Sequence, residues 1–172
     1  MISEKSHFHI VLTTHNSRVS ERMKLRGINP GRKIALGIEE EIYISFVIGQ
    51  VLLENAVTCP AYNICGDHVH ILILEVPERI SHIIKLVKGR SSFLWGRRFS
   101  SKTKGLWSQK FFYGLINDCD ELKLSNVPGE IYSASYLDQC IAYIENNRTK
   151  HGLSSSAELR QLINSFVQKY EE

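Results

Sequence analysis

The sequence predicts an α+β fold in which a four-stranded antiparallel sheet carries two helices on one face. Three observations predict it. Apolar segments follow the order strand, helix, strand, strand, helix, strand; a Gly-Asp pair forms a tight turn between the second and third strands; and further helical segments follow the fourth strand. This order is typical of the ferredoxin-like or RRM-like sandwich, which places the first and third strands at the centre of the sheet.

Each predicted element has its own local pattern. Apolar runs rich in β-branched residues predict strands at 8–14, 57–64, 68–76 and 111–116. Apolar residues at helical spacing predict helices at 39–55, from an N-cap at Ser81 through Trp95, at 136–147 and at 157–170. The segment 18–33 contains glycines and a proline, and it is expected to be an irregular connection.

Length and composition indicate one globular domain. The 172 residues are 43% apolar, and we expect a single domain over 1–172, with a core at about 8–153 and a helix at 157–170 after it. No apolar run approaches the roughly 20 residues of a membrane span, and the start lacks a signal-peptide layout, so a cytoplasmic protein is expected. The four cysteines form no Cys-x-x-Cys pair, which argues against a zinc ribbon or a disulfide framework.

The third predicted strand carries two histidines that face the same way. His68 and His70 are two residues apart, so they project from one side of the sheet while Val69 and Ile71 point into the core. Two neighbouring imidazoles make half of a metal site. They are equally compatible with two hydrogen-bonded structural histidines.

A helix near the C-terminus supplies groups that would complete such a site. Tyr143 and Asn147 are four residues apart and therefore share a helical face. The amide oxygen suits a hard cation such as Mg²⁺ or Mn²⁺. A lone tyrosine is usually a packing residue, but a phenol beside a metal suggests attack on a phosphodiester.

The predicted basic helix favours nucleic acid as a partner. Between residues 85 and 104 there are seven basic residues and no acid, although the net charge of the chain is only +3. Such a run is often only a solvated helix face, but aromatic side chains interleave with it and could stack on unpaired bases. The candidate DNA-binding residues are Lys85, Lys88, Arg90, Arg97 and Arg98.

Several of these segments, taken together, resemble a known family. The chain is similar to the single-tyrosine HUH transposases of insertion sequences, and it looks closest to their relatives associated with repetitive extragenic palindromes. The resemblance covers about 8–153. The segments that carry it are Phe8-His9-Ile10-Val11-Leu12-Thr13-Thr14, Gly66-Asp67-His68-Val69-His70-Ile71-Leu72, Leu106-Trp107-Ser108-Gln109-Lys110-Phe111 and Tyr143-Ile144-Glu145-Asn146-Asn147.

The resemblance implies a metal-dependent enzyme that nicks and rejoins single-stranded or hairpin DNA through a 5′-phosphotyrosine. By motif position, Tyr143 is the nucleophile and His68, His70 and Asn147 are ligands of Mg²⁺ or Mn²⁺. Mobile-element members act as homodimers in which the tyrosine helix of one subunit completes the site of the other. The sequence leaves open whether Tyr143 acts within its own chain.

Two other functions are compatible with the residues. One is a noncatalytic nucleic-acid-binding module on the same sheet, as in RNA-recognition domains, although the aromatic strand signature of those domains is missing. The other is a metal-dependent phosphodiesterase in which water replaces the tyrosine as nucleophile.

Overall fold

The computed structural model describes residues 4–19, 21–29, 31–99, 105–116, 135–154 and 156–169. Its elements, in chain order, are β1 (Ser6–Thr13), α1 (Glu21–Leu25), α2 (Ile38–Glu54), β2 (Thr58–Cys65), β3 (His68–Glu75), α3 (Pro77–Arg98), β4 (Phe112–Ile116), α4 (Tyr136–Lys150) and α5 (Ala157–Phe166). Within these residues, no helix combines the length and the apolar character that crossing a membrane would require.

The four strands form one antiparallel sheet in the order β2-β3-β1-β4. The predicted fold class and the central position of the first and third strands are therefore confirmed. β2 and β3 are joined through Gly66 and Asp67, the two residues that predicted the hairpin.

The main core lies between one face of the sheet and helices α2 and α3. Alternate residues of the central strands enter it, because successive side chains on a strand point to opposite faces. The strand residues in this core include Phe8, Ile10, Leu12, Val69, Ile71 and Ile73. A smaller cluster on the other face joins Ala61 and Leu72 to Cys140 and Ile144 of α4. Helices thus pack on both faces of the sheet, and α4 lies on the face that the two histidines share.

Three helix predictions differ from the structure. α3 begins at Pro77 with Val76 as its N-cap, so the N-cap predicted at Ser81 is wrong; proline suits the first helical position because its fixed φ is helical and its missing N–H is not needed there. The segment expected to be irregular contains the short helix α1. α5 ends at Phe166 and not at residue 170, since the chain turns so that the Gln168 N–H donates to the Cys59 carbonyl of β2 at 2.9 Å.

The remaining elements agree with their predicted positions within a few residues. α2 and α4 form where helical spacing indicated them, and Gly152, at φ 64°, follows the end of α4. The predicted loop at 117–133, together with Lys102, Lys104, Cys119 and residue 170, lies outside the described residues. The other three cysteines are buried free thiols.

Candidate active site

The histidine pair lies on the central strand β3, facing α4. His68 and His70 are 3% and 5% exposed, and their ring centroids are 5.0 Å apart. Val69 and Ile71 lie in the main core, as the alternation of the strand predicted. The two imidazoles are therefore held close together by a rigid, central part of the sheet.

α4 brings Asn147 directly to His68. The Oδ1 atom of Asn147 is 3.0 Å from Nε2 of His68, and the Cys65 thiol donates to the same oxygen at 3.2 Å. Burial raises the pKa of Cys65 to about 11, so the thiol keeps its proton at neutral pH. This contact supports the amide orientation in which the oxygen of Asn147, and not its nitrogen, faces His68.

Asp67, at the hairpin turn, fixes the orientation of His68. Its Oδ1 atom is 2.7 Å from Nδ1 of His68, and its other oxygen forms an ion pair with Lys33. Burial alone would raise the pKa of Asp67, but the hydrogen bonds from Lys33 and His68 outweigh burial and lower it. Since an ionised carboxylate only accepts hydrogen bonds, Nδ1 of His68 is the donor.

The donor set of His68, His70 and Asn147 fits a divalent cation. With its proton on Nδ1, a neutral His68 ring presents a lone pair on Nε2 to the amide oxygen of Asn147, another lone-pair atom. Two acceptors 3.0 Å apart repel each other unless a cation or proton lies near them. No cluster of three or more His, Cys, Asp or Glu side chains placed for a metal occurs among the described residues, so the third ligand would be this amide.

Tyr143 lies one helical turn before Asn147, beside the histidines. Its ring is perpendicular to that of His70, with centroids 5.5 Å apart, and the Lys150 ammonium is 5.3 Å from its ring centroid. A cavity of about 410 Å³ opens beside the ring, lined in part by Phe112 and Gly114 of β4. The predicted nucleophile therefore has a cation and an accessible cavity as neighbours.

His9 also lies in the site, beside His70 and Tyr143, although no role was predicted for it from the sequence. Its Nε2 atom is 2.9 Å from Nδ1 of His70, and its ring is also 6.3 Å from that of Tyr143. Burial lowers the pKa of His9 to about 4 and that of His70 to about 3, so both rings are neutral at pH 7. The signal in the sequence was the alternation of β1, which places His9 on the same face as the histidine pair.

Two buried polar contacts hold α4 against the sheet. The side-chain amide of Asn63 on β2 donates to the carbonyls of Ile144 and Glu145 at 2.8 and 2.9 Å. The Arg148 guanidinium donates to Glu41 of α2 at 2.7 Å and to the Ile64 carbonyl at 2.9 Å. These contacts determine where the face bearing Tyr143 and Asn147 meets β3.

The five predicted DNA-binding residues do not form one surface. Lys85 and Arg97 line a groove of about 880 Å³ along α3 beside the exposed ring of Phe93, and the Lys88 ammonium, also in this groove, donates to the carbonyls of Ser108 and Gln109. Burial lowers the pKa of Lys88. The other two residues have partners elsewhere: Arg90 pairs with Glu54, and Arg98 stacks on Tyr43 at 4.7 Å.

The Leu106 to Phe111 segment packs against α3 and β1 and does not enter the site. Leu106 and Trp107 are buried, and the Trp107 indole donates to the Ser91 hydroxyl at 2.8 Å. The Ser108 hydroxyl donates to the Thr14 carbonyl at 2.8 Å. This segment leads the chain into β4, and Trp107 and Phe111 also line the groove along α3.

A solved transposase structure has a fold similar to that of this chain. The chain is similar to a REP-associated tyrosine transposase solved bound to a REP hairpin, with 14% identity and a TM-score of 0.52 over 90% of this chain and 73% of that one. It is also similar to a protein from Deinococcus radiodurans R1 described as a candidate transposase, with 18% identity and a TM-score of 0.44 over 83% and 90% of the two chains. No curated protein matches the chain.

A sequence family model gives the assignment. The model described as "Transposase IS200 like" matches residues 3–126, most of the chain, and the chain belongs to this family of transposases. It is therefore a DNA-processing enzyme of the transposase class. The match ends before α4, so the roles of Tyr143 and Asn147 depend on the geometry of the site.

Proposed function

We propose that the chain nicks single-stranded DNA and transfers the strand through a covalent 5′-phosphotyrosine at Tyr143, with a divalent metal held by His68, His70 and Asn147. One observation carries the proposal: α4 places Tyr143 and Asn147 against the two histidines of β3. Neither the sheet nor the helix contains all four groups, so the folded chain is needed to assemble them.

The chemical step is the attack of the Tyr143 hydroxyl oxygen on a backbone phosphorus. The bond from the tyrosine oxygen to phosphorus forms, the bond from phosphorus to the 3′ oxygen breaks, and the phenol loses its proton. The departing 3′ oxygen gains a proton and becomes a free hydroxyl. Because the new ester keeps the phosphoryl group activated, a 3′-hydroxyl of another strand can attack it, release Tyr143 and rejoin DNA.

The residues around Tyr143 favour this step for identifiable reasons. When bound, Mg²⁺ or Mn²⁺ would polarise the phosphate oxygens and stabilise the charge that develops on them. Lys150 adds a positive charge beside the phenol. The cavity between α4 and β4 leaves room for a nucleotide next to the reactive oxygen.

We propose single-stranded or hairpin DNA as the substrate. The family assignment supports DNA as the partner, and the similar transposase was solved bound to a REP hairpin. The groove along α3 combines Lys85 and Arg97 with the exposed ring of Phe93, which suits a phosphate backbone and an unpaired base. Lys88 and Arg90 are proposed to contribute less, since their charges already have partners within the chain.

A denaturing-gel assay tests the proposal. The protein is incubated with a labelled single-stranded hairpin oligonucleotide and Mn²⁺ or Mg²⁺, and a protein–DNA adduct that survives denaturation is expected. Tyr143→Phe should form no adduct but should still bind the DNA. Tyr43→Phe, a matched change on α2, should form the adduct at the wild-type rate.

The other outcomes distinguish the alternatives. Cleavage without an adduct in both the wild-type protein and Tyr143→Phe would indicate a phosphodiesterase that uses water. Binding of the hairpin with no cleavage under any metal condition would indicate a noncatalytic binding module. An undiminished adduct in Tyr143→Phe would assign the nucleophile to another residue.

A further inference from the structure

His9 and His70 are joined edge to edge across the two central strands. In the register of β1 and β3, His9 is opposite Leu72 and His70 is opposite Val11, so the two histidines are diagonal neighbours on one face. Their facing nitrogens, Nε2 of His9 and Nδ1 of His70, are 2.9 Å apart. The rings are only 23° from parallel with centroids 5.1 Å apart, which is consistent with an in-line N–H···N hydrogen bond.

The hydrogen bond between Asp67 and His68 illustrates how an acceptor fixes the tautomer of a histidine ring. Asp67 accepts from Nδ1 of His68, so in a neutral ring the lone pair is on Nε2, the atom that faces Asn147. Metal-binding histidines in general donate their second ring N–H to an acceptor, and this bond fixes the tautomer and the ring orientation. The structure provides this arrangement for His68 through a carboxylate. No carboxylate contacts His70 among the described residues; His9 occupies that position.

One proton lies between the facing nitrogens of His9 and His70, and its position decides which atom of His70 can bind a metal. If Nε2 of His9 donates, His70 carries its own proton on Nε2 and cannot use that atom as a ligand. If Nδ1 of His70 donates, Nε2 of His70 has the free lone pair. Only the second arrangement presents the same ring nitrogen from both histidines of β3.

We infer that His9 is a positioning residue that accepts the Nδ1 proton of His70 and so fixes the tautomer in which Nε2 of His70 is free to bind a metal. The inference rests on the proposed metal site, and it assigns His9 a function that the metal ligands themselves do not include. His9 then acts on the reaction only through His70.

The tautomer can be measured directly in the metal-free protein. Long-range ¹H–¹⁵N spectra of a ¹⁵N-histidine-labelled sample in EDTA, near pH 7.5, distinguish a protonated ring nitrogen from one with a lone pair. The expected result is the same tautomer for both rings, with Nδ1 protonated and Nε2 unprotonated in His70 and in His9. A protonated Nε2 on His70 would overturn the inference.

Variants test the consequence for metal binding. His9→Phe keeps a ring but cannot accept a hydrogen bond, and it should weaken Mn²⁺ binding by about 10- to 100-fold. His9→Gln, whose Oε1 can accept from Nδ1 of His70, should recover much of the affinity. His15→Gln, which changes an exposed histidine in the loop after β1, should leave Mn²⁺ affinity unchanged.

Titration of Mn²⁺, followed by electron paramagnetic resonance of the free ion, gives the affinities without DNA or turnover. Wild-type affinity in His9→Phe, or an equal loss in His9→Phe and His9→Gln, would overturn the inference. A wild-type protein that binds no Mn²⁺ would contradict the proposed function, whereas the nitrogen shifts of His70 would still decide the tautomer.

Discussion

The reactivity proposed for Tyr143 depends on charges that its neighbours supply. A phenol is a weak nucleophile until its ionisation is favoured, and the only cation within the described residues that lies over its ring is Lys150. Lys150 is seven residues after Tyr143, two turns along the same face of α4, and it is exposed to solvent. It can therefore meet a phosphate in the cavity as well as the phenolate.

Replacing Lys150 by glutamine should slow formation of the DNA adduct by about tenfold, the effect of losing a modest electrostatic stabilisation of the transition state. Metal affinity should not change, because Lys150 is no ligand. Lys169→Gln, which removes an exposed lysine paired with Glu145, is the control. Single-turnover rates of adduct formation give the comparison, and equal rates in all three proteins would exclude a role for Lys150.

Individual residues also show where sequence reasoning succeeds. His68, His70, Tyr143 and Asn147 were predicted to share a site because their spacings fix their faces, and the structure brings these faces together. The roles of His9 and Asp67 depend on contacts across strands and around a turn, and residue spacing within one element does not reveal such contacts. Lys88 appeared to be a free cation because its carbonyl partners, on Ser108 and Gln109, are about 20 residues away in the sequence.

At the scale of elements, the position of α4 decides whether the site exists. Among the described residues, Asn63, Glu41 and the Ile64 carbonyl hold α4 on the sheet through hydrogen bonds. Among the ion pairs of the described residues, the most buried joins Arg148 to Glu41, whose side chains are 13% and 3% exposed. Burial raises the pKa of Glu41, while the hydrogen bond and the positive charge of Arg148 oppose that rise.

Breaking this pair should destabilise the protein. Arg148→Met leaves the Glu41 carboxylate buried without its partner, and a loss of about 3 kcal/mol in the free energy of unfolding is expected. Adding Glu41→Leu to the same protein should restore most of that loss, since the unpaired charge is removed. Arg90→Met, in the exposed pair with Glu54, should cost less than about 1 kcal/mol. Urea denaturation measures all four proteins, and equal stability of Arg148→Met and wild type would contradict the role of the pair.

The helix boundaries show what local patterns can and cannot predict. The start of α3 was misplaced at Ser81 because serine is a common N-cap residue, whereas Pro77 suits a helix start equally well. The end of α5 was misplaced because the hydrogen bond from Gln168 to Cys59 joins residues that are far apart in the sequence. Apolar periodicity predicted the existence and type of the longer elements, since the periodicity follows directly from the face that each one buries.

At the scale of the whole molecule, one chain contains every group of the proposed site. α4 contacts β2 and β3 of its own chain through Asn63 and His68. α5, which follows after a short connection, packs on α2, where Phe166 contacts Gly49. An exchange of the tyrosine helix between subunits would have to replace all of these contacts together.

We therefore expect that variants lacking different halves of the site will not complement each other. Tyr143→Phe and His68→Ala are each predicted to be inactive, and an equimolar mixture should remain inactive because neither chain has both groups. The mixture is refolded together before the assay, so that any subunit exchange can occur. Adduct formation in the refolded mixture would show instead that α4 acts on the site of a partner subunit.

The identity of the residue that carries the DNA tests the proposed role of Tyr143 most directly. The adduct formed with hairpin DNA and Mn²⁺ is digested with nuclease and protease, and the modified peptide is sequenced by mass spectrometry. We predict a nucleotide remnant linked through its 5′ phosphate to Tyr143, within the α4 peptide. A remnant on any other residue, or cleaved DNA with a free 5′ phosphate and no modified peptide, would contradict it.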